Sequence, residues 1–196
     1  MKIIGLTGGI STGKTTVSNY LSSKYNLPVL DADIYAREAV VPSSPILQDI
    51  FDRWGNTLEN ADGTLNRKAL GEIIFKDPTA KQWLESKIHP FVRERFQQEL
   101  TKLQQEGHHQ TVVFAIPLLF EAKLTHLVTE IWVVYCDRAT QIARLQARNQ
   151  LTPEQALARI NNQLPIEQKI AQADYVLDNN DTTAELHAQC DALLGC

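Results

Sequence analysis

Apolar positions gather into five short runs, at residues 3–7, 29–30, 111–116, 131–136 and 175–177, separated by longer stretches with polar faces. The runs are brief and several are rich in β-branched residues, which predicts buried strands. Most intervals between them carry helical spacing, so the order predicts a parallel sheet with helices on both faces. The stretch 16–25, for example, places Val17, Tyr20 and Leu21 at helical spacing and contains no proline. Two intervals depart from this alternation. Residues 42–107 hold no run that reads as a strand; helical segments at 46–54, 67–75 and 79–106 are broken by Pro45, Gly55, Gly63 and Pro78. This predicts a mostly helical insertion between the second and third strands. Residues 139–171 are polar, helical and rich in Gln and Arg, with few large apolar side chains after Leu151. A segment of that kind buries little, which predicts a mobile flap.

Composition narrows the class. A chain of 196 residues with 43% hydrophobic and 21% charged residues is an ordinary globular domain of good size, with room for an inserted subdomain. Its net charge of −4 argues against a nucleic-acid duplex or an anionic membrane as the main partner. Cys136, Cys190 and Cys196 form no C-x-x-C pair, which predicts reduced thiols rather than a disulfide framework or a zinc site. The first residues read as a strand rather than a charged leader with an apolar core, and no apolar stretch approaches a membrane span. These features predict a cytoplasmic protein.

The chemistry starts immediately after the first strand. Gly8-Gly9-Ile10-Ser11-Thr12-Gly13-Lys14-Thr15 fits the pattern G-x-x-x-x-G-K-[ST], with a strand before it and a helix after it. Glycines allow the main chain to curl around an anion, so that successive N–H groups and the helix N-terminus face phosphate oxygens. Lys14 supplies charge to the outer phosphates, and the Thr15 hydroxyl is placed to ligate Mg²⁺. The loop is expected to bind a nucleoside triphosphate.

Other residues gain meaning beside that loop. Asp31 and Asp33 follow the second strand, at the end of a parallel sheet where ligands bind. Either carboxylate could accept a proton from an attacking hydroxyl or hold a metal through water; either could instead cap the following helix. Arg144 and Arg148 lie four residues apart on a predicted helix and share a face, suited to closing over phosphate oxygens or to plain solvation. His89-Pro90 sits within the long helical segment, with Arg93 close behind, and the proline predicts a break or kink there. Such a kink would present His89 and Arg93 to an anionic substrate, unless His89 only caps or packs. Glu121 closes the segment Pro117-Leu118-Leu119-Phe120-Glu121 after the third strand, as a metal-assisting or a surface carboxylate.

Taken in order, the segments Gly8-Gly9-Ile10 to Thr15, Asp31-Ala32-Asp33 with Ala36-Arg37, His89-Pro90 with Arg93, and Pro117 to Glu121 resemble those of bacterial dephospho-coenzyme A kinases. Gln141, Arg144, Leu145, Arg148, Gln163, Lys169, Ala173-Asp174 and Asn179 extend the resemblance over essentially the whole chain. The resemblance implies an α/β phosphate-loop nucleoside-triphosphate hydrolase fold with a five-stranded parallel sheet. It also implies a core of residues 1–41, 108–138 and 172–196, a substrate-binding insertion at 42–107 and a lid at 139–171. The implied reaction is ATP-dependent phosphorylation of the ribose 3′-hydroxyl of dephospho-coenzyme A. ATP would meet Gly8, Gly9, Ile10, Ser11, Thr12, Gly13, Lys14, Thr15, Thr16 and Asn179. Dephospho-coenzyme A would meet Asp31, Asp33, His89, Arg93 and Glu121, while Asp33 as general base, Lys14, Arg144 and Arg148 would serve catalysis, with Mg²⁺ at Thr15. Two positions depart from the family pattern: Ser11-Thr12 stands where many members have Gly-Ser, and Asn149 replaces an aspartate after the lid arginine. A guanine-reading N-K-x-D segment, which a GTPase switch would need, does not occur in the chain.

Overall fold

A computed structural model describes residues 1–195; Cys196, expected as a third reduced thiol, lies outside the described residues. Five strands form one parallel sheet: β1 (Lys2–Gly8), β2 (Val29–Asp31), β3 (Thr111–Ala115), β4 (Glu130–Tyr135) and β5 (Tyr175–Asp178), in the spatial order β2-β3-β1-β4-β5. The register pairs Ile4 with Val113 on one side of β1 and Leu6 with Trp132 on the other. Because every strand runs the same way, all five carboxyl ends lie along one edge. The helices are α1 (Lys14–Tyr25), α2 (Ala32–Glu38), α3 (Pro45–Trp54), α4 (Arg67–Lys76), α5 (Pro78–Glu106), α6 (Arg138–Asn149), α7 (Pro153–Asn161), α8 (Ile166–Ile170) and α9 (Thr183–Leu194).

The chain divides into two compact units, residues 1–31 with those from 106 onward, and residues 32–105. The first holds the sheet. Ile4, Leu6, Val17, Leu21, Val113, Trp132, Val134 and Leu177 are wholly buried there, joined by Leu186 and Cys190 of α9. Burying side chains of this size contributes about 1.5–3 kcal/mol each relative to exposure. At the rim, the Asp191 carboxylate receives Lys24, Tyr20 and Tyr25, clasping α9 to α1. Those bonds, from Lys24 first, hold its pKa down at about 2. Cys136 and Cys190 are free and buried, as expected of reduced thiols.

The second unit has its own core, in which Ala39, Val40, Leu47, Ile50, Phe51, Leu58, Leu65, Leu70 and Leu84 cluster. Its described residues form helices with only an isolated antiparallel bridge between Glu59 and Leu65. The division falls after Asp31 rather than after residue 41, so α2 belongs to this unit.

Prolines account for the other differences from the sequence pattern. Pro45 and Pro78, expected as breakers, instead open α3 and α5. At a first helical position the missing N–H has no partner to lose, and the fixed φ suits the helix. The break expected at His89-Pro90 is absent, since α5 runs continuously from Pro78 to Glu106 with Pro90 inside it. Leu84 on one side and Val92 and Phe96 on the other are buried, so packing secures the helix both before and after the proline. Residues 139–171 also bury more than their polarity suggests. Gln141, Leu145, Ala156 and Lys169 are buried, two of them through polar side chains that a hydrophobic pattern does not register.

Candidate active site

The strand ends of the sheet unit bring the loop residues together. Gly8 ends β1, and the chain then curls through Gly9–Thr12 into α1. Ser11 takes a left-handed φ of 60° and Gly13 one of 109°. Thr12 closes the curl on itself, its Oγ1 donating to the Gly9 carbonyl at 2.9 Å. Gly13 occupies the N-cap of α1 without a side-chain cap, and no acidic residue stands in the first turn. An α-helix leaves its first amides without intrahelical partners, and nothing anionic in the helix itself answers them here. The Ser11 hydroxyl is buried without a hydrogen-bond partner. The Thr15 side chain is exposed at the mouth of α1 and Lys14 is half-buried beside it. This is an anion cradle with a cation and a hydroxyl at its rim.

Asn179, which follows β5, backs the cradle. It is buried and donates its Nδ2 to the Thr12 carbonyl at 2.7 Å. A Cβ at Gly13 would collide with that amide nitrogen. We expect Gly13→Ala to cost about 2 kcal/mol of stability through the left-handed φ and to weaken ATP binding at least about tenfold. Thermal unfolding and nucleotide titration of the variant check both.

Two glutamines from the sequence predicted to be a flap grip Ile10 at the crest of the loop. Gln141 Nε2 donates to the Ile10 carbonyl at 2.7 Å, and the Ile10 N–H donates to Gln163 Oε1 at 2.7 Å. A cavity of about 290 Å³ opens beside them, lined by Gly9, Cys136, Arg138 and the segment after α7. Arg144 and Arg148, expected to act as a pair, differ in setting. Arg144 is partly buried, with Nη1 enclosed and without a partner. Its guanidinium lies against Cys136, whose thiol is pushed up by burial despite that neighbour. Arg148 is exposed and its Nε donates to Asn149 Oδ1 at 2.9 Å.

Past β3, Glu121 Oε1 accepts the Lys169 ammonium at 2.8 Å and the Leu164 N–H at 3.0 Å. Its carboxylate is thus engaged with the chain itself. Asp31 closes β2 opposite Ala115 of β3. In the helical unit, Asp33 stands exposed in the first turn of α2, His89 is half-buried on α5 and Arg93 is exposed one turn on. Gln141, Gln163 and Lys169 contact the loop backbone although sequence reasoning gave them no role beyond a family mark. Neither periodicity nor charge pattern distinguishes a glutamine that bonds a distant main chain. Among the described residues no three His, Cys, Asp or Glu side chains cluster as a metal site, and no helix is long and apolar enough to cross a membrane.

Comparison with known proteins gives this cradle a context. The family model for dephospho-CoA kinase matches residues 2–185. The dephospho-CoA kinase of Synechocystis sp. is 55% identical over 188 residues, covering 96% of this chain and 92% of the relative. Among solved structures, the protein TT1252 from Thermus thermophilus superposes with a TM-score of 0.79 at 32% identity, covering 98% of this chain and 96% of that one. The dephospho-CoA kinase from Campylobacter jejuni superposes with a TM-score of 0.73 at 27% identity, over 99% and 96% of the two chains.

Proposed function

Since the chain belongs to the dephospho-CoA kinase family, we propose that it transfers the γ-phosphoryl group of ATP to the ribose 3′-hydroxyl of dephospho-coenzyme A, the last step of coenzyme A biosynthesis. The observation that carries this reading is the uncapped cradle at the start of α1, in a chain matched to the family over residues 2–185. Loop amides and the α1 N-terminus receive the β- and γ-phosphates, and Lys14 balances their charge. Asp33, exposed on α2, accepts the hydroxyl proton as O3′ attacks the γ-phosphorus. The bond from γ-phosphorus to the bridging oxygen breaks, and ADP leaves with that electron pair. Thr15 fits a hard divalent cation, since its exposed hydroxyl is a hard oxygen donor at the mouth of an uncapped helix. Thr15 would hold Mg²⁺, which would supply charge neutralisation to the phosphates.

Residues 42–107 are assigned to the acceptor, as are the residues His89, Arg93, Asp31 and Glu121. Residues 139–171 are assigned as the lid, and the cytoplasm as the site of action. The enclosed, unpartnered Nη1 of Arg144 is a donor that phosphate oxygens would satisfy. Arg144→Ala is therefore expected to lower kcat about 10–100-fold, and Arg148→Ala to lower it less, each with a smaller effect on thermal stability. Unimpaired variants would remove these arginines from the mechanism.

The test of the function is an ADP-release assay with and without dephospho-coenzyme A, with the product read by phosphorus NMR. Acceptor-dependent release and a new 3′-phosphate support the proposal. Brisk turnover of AMP in its place would move the chain to the monophosphate kinases.

A further inference from the structure

We propose that residues 163–169, the fixed base of the segment assigned as the lid, form a strap that holds the phosphate loop in its nucleotide-receiving shape, with Gln163 and Lys169 as positioning residues for ATP. The loop backbone between β1 and α1 belongs to neither a sheet ladder nor a helix, so its polar groups must be fixed by other means. The strap takes one of them, at Ile10, together with the last carbonyl of β1 at Gly8. Gln163 Oε1 accepts the Ile10 N–H at 2.7 Å, and the Lys169 ammonium approaches the Gly8 carbonyl at 3.5 Å. Gly9 lies between those two points and has no side chain with which to be pinned. The strap is itself tied down. Lys169 Nζ meets Glu121 Oε1 at 2.8 Å and the Pro117 carbonyl at 3.3 Å, and the Leu164 N–H shares the same Glu121 oxygen at 3.0 Å.

Lys169 is wholly buried, and a buried ammonium persists only when paired and hydrogen-bonded. Its three protons face three acceptors, Glu121, Pro117 and Gly8, which leaves none for a phosphate. Lys169 therefore acts through the loop and not on the nucleotide. The turn after β3, the strap and the start of the loop become one braced assembly, and the amides from Ser11 onward inherit their direction from it. Such preorganisation shows as affinity for the nucleotide, because binding no longer has to order the loop.

This inference rests on the nucleotide half of the function proposed above. Its test compares Gln163→Leu, Lys169→Met and Lys169→Arg with the parent in the full chain. Gln163→Leu is expected to raise the KM for ATP about tenfold, the weight of one lost buried hydrogen bond, with the acceptor KM unchanged. In the nucleotide-free protein it should also speed hydrogen exchange at the Thr12 amide, which bonds Gly9 and not the strap. Lys169→Met should show the same split or fail to fold, and Lys169→Arg, which keeps the charge, should recover most of the ATP affinity. A parental KM for ATP with unchanged Thr12 exchange in Gln163→Leu would overturn the proposal. An equal loss toward ATP and acceptor would overturn it too. ATP titration of the same variants needs no acceptor, so a parent inactive on dephospho-coenzyme A would defeat the assigned reaction while the strap still stood or fell on its own result.

Discussion

Lys14→Ala lowers turnover by about 10³-fold or more while the circular dichroism spectrum stays that of the parent; this is the largest effect we expect from a single loop substitution. Lys14 opens α1, partly exposed at the cradle, so its loss removes no buried contact from the core. What it removes is a charge-assisted bond to oxygens that gain negative charge as the phosphoryl group moves. A weakened ground-state contact alone would raise the KM for ATP and spare kcat, whereas loss of transition-state charge balance lowers kcat itself. ATP-dependent activity within a few-fold of the parent would remove the loop from the mechanism.

Asp33→Asn is the second substitution of large effect. The amide keeps the size of the carboxylate and its ability to accept a hydrogen bond, but it cannot take up the proton of the attacking hydroxyl. We expect kcat to fall about 10²–10⁴-fold with ATP affinity retained, the usual scale for losing general-base catalysis. Asp33 is exposed in the first turn of α2, where a carboxylate also favours the helix N-terminus. A thermal scan separates the two roles. If Asp33 only caps α2, the asparagine variant unfolds somewhat earlier and turns over normally.

The sheet was legible because its strands are short apolar runs, all five within a residue or so of the strands observed, although β5 at the sheet edge leaves Tyr175 and Val176 exposed and buries only Leu177. The phosphate loop was legible because its chemistry needs fixed residue types at fixed spacing. Less legible was anything that depends on what surrounds a residue. Pro90 reads as a breaker until the buried Leu84, Val92 and Phe96 on either side are seen. Arg144 and Arg148 share a helical spacing, yet one reaches inward beside Cys136 and the other stays in solvent. Gln141, Gln163 and Lys169 are harder still. Their partners in the loop are main-chain atoms at Gly8 and Ile10, more than a hundred residues away, and a backbone N–H or carbonyl carries no signature in a sequence.

The central position of β1 has a consequence for the order in which the molecule is made. β1 is synthesised first, but it lies between β3 and β4, so Lys2 waits for Thr111 and Leu6 for Trp132. Until those strands leave the ribosome, an apolar strand with two unsatisfied edges stays open, and pairings this distant in sequence close slowly. Residues 32–105 carry a core of their own and have no need to wait. On the nascent chain the helical unit is therefore ready before the nucleotide site has walls. A stalled or truncated chain ending before β4 would present the β1 edge to chaperones and to other copies of itself, with ATP unable to rescue it.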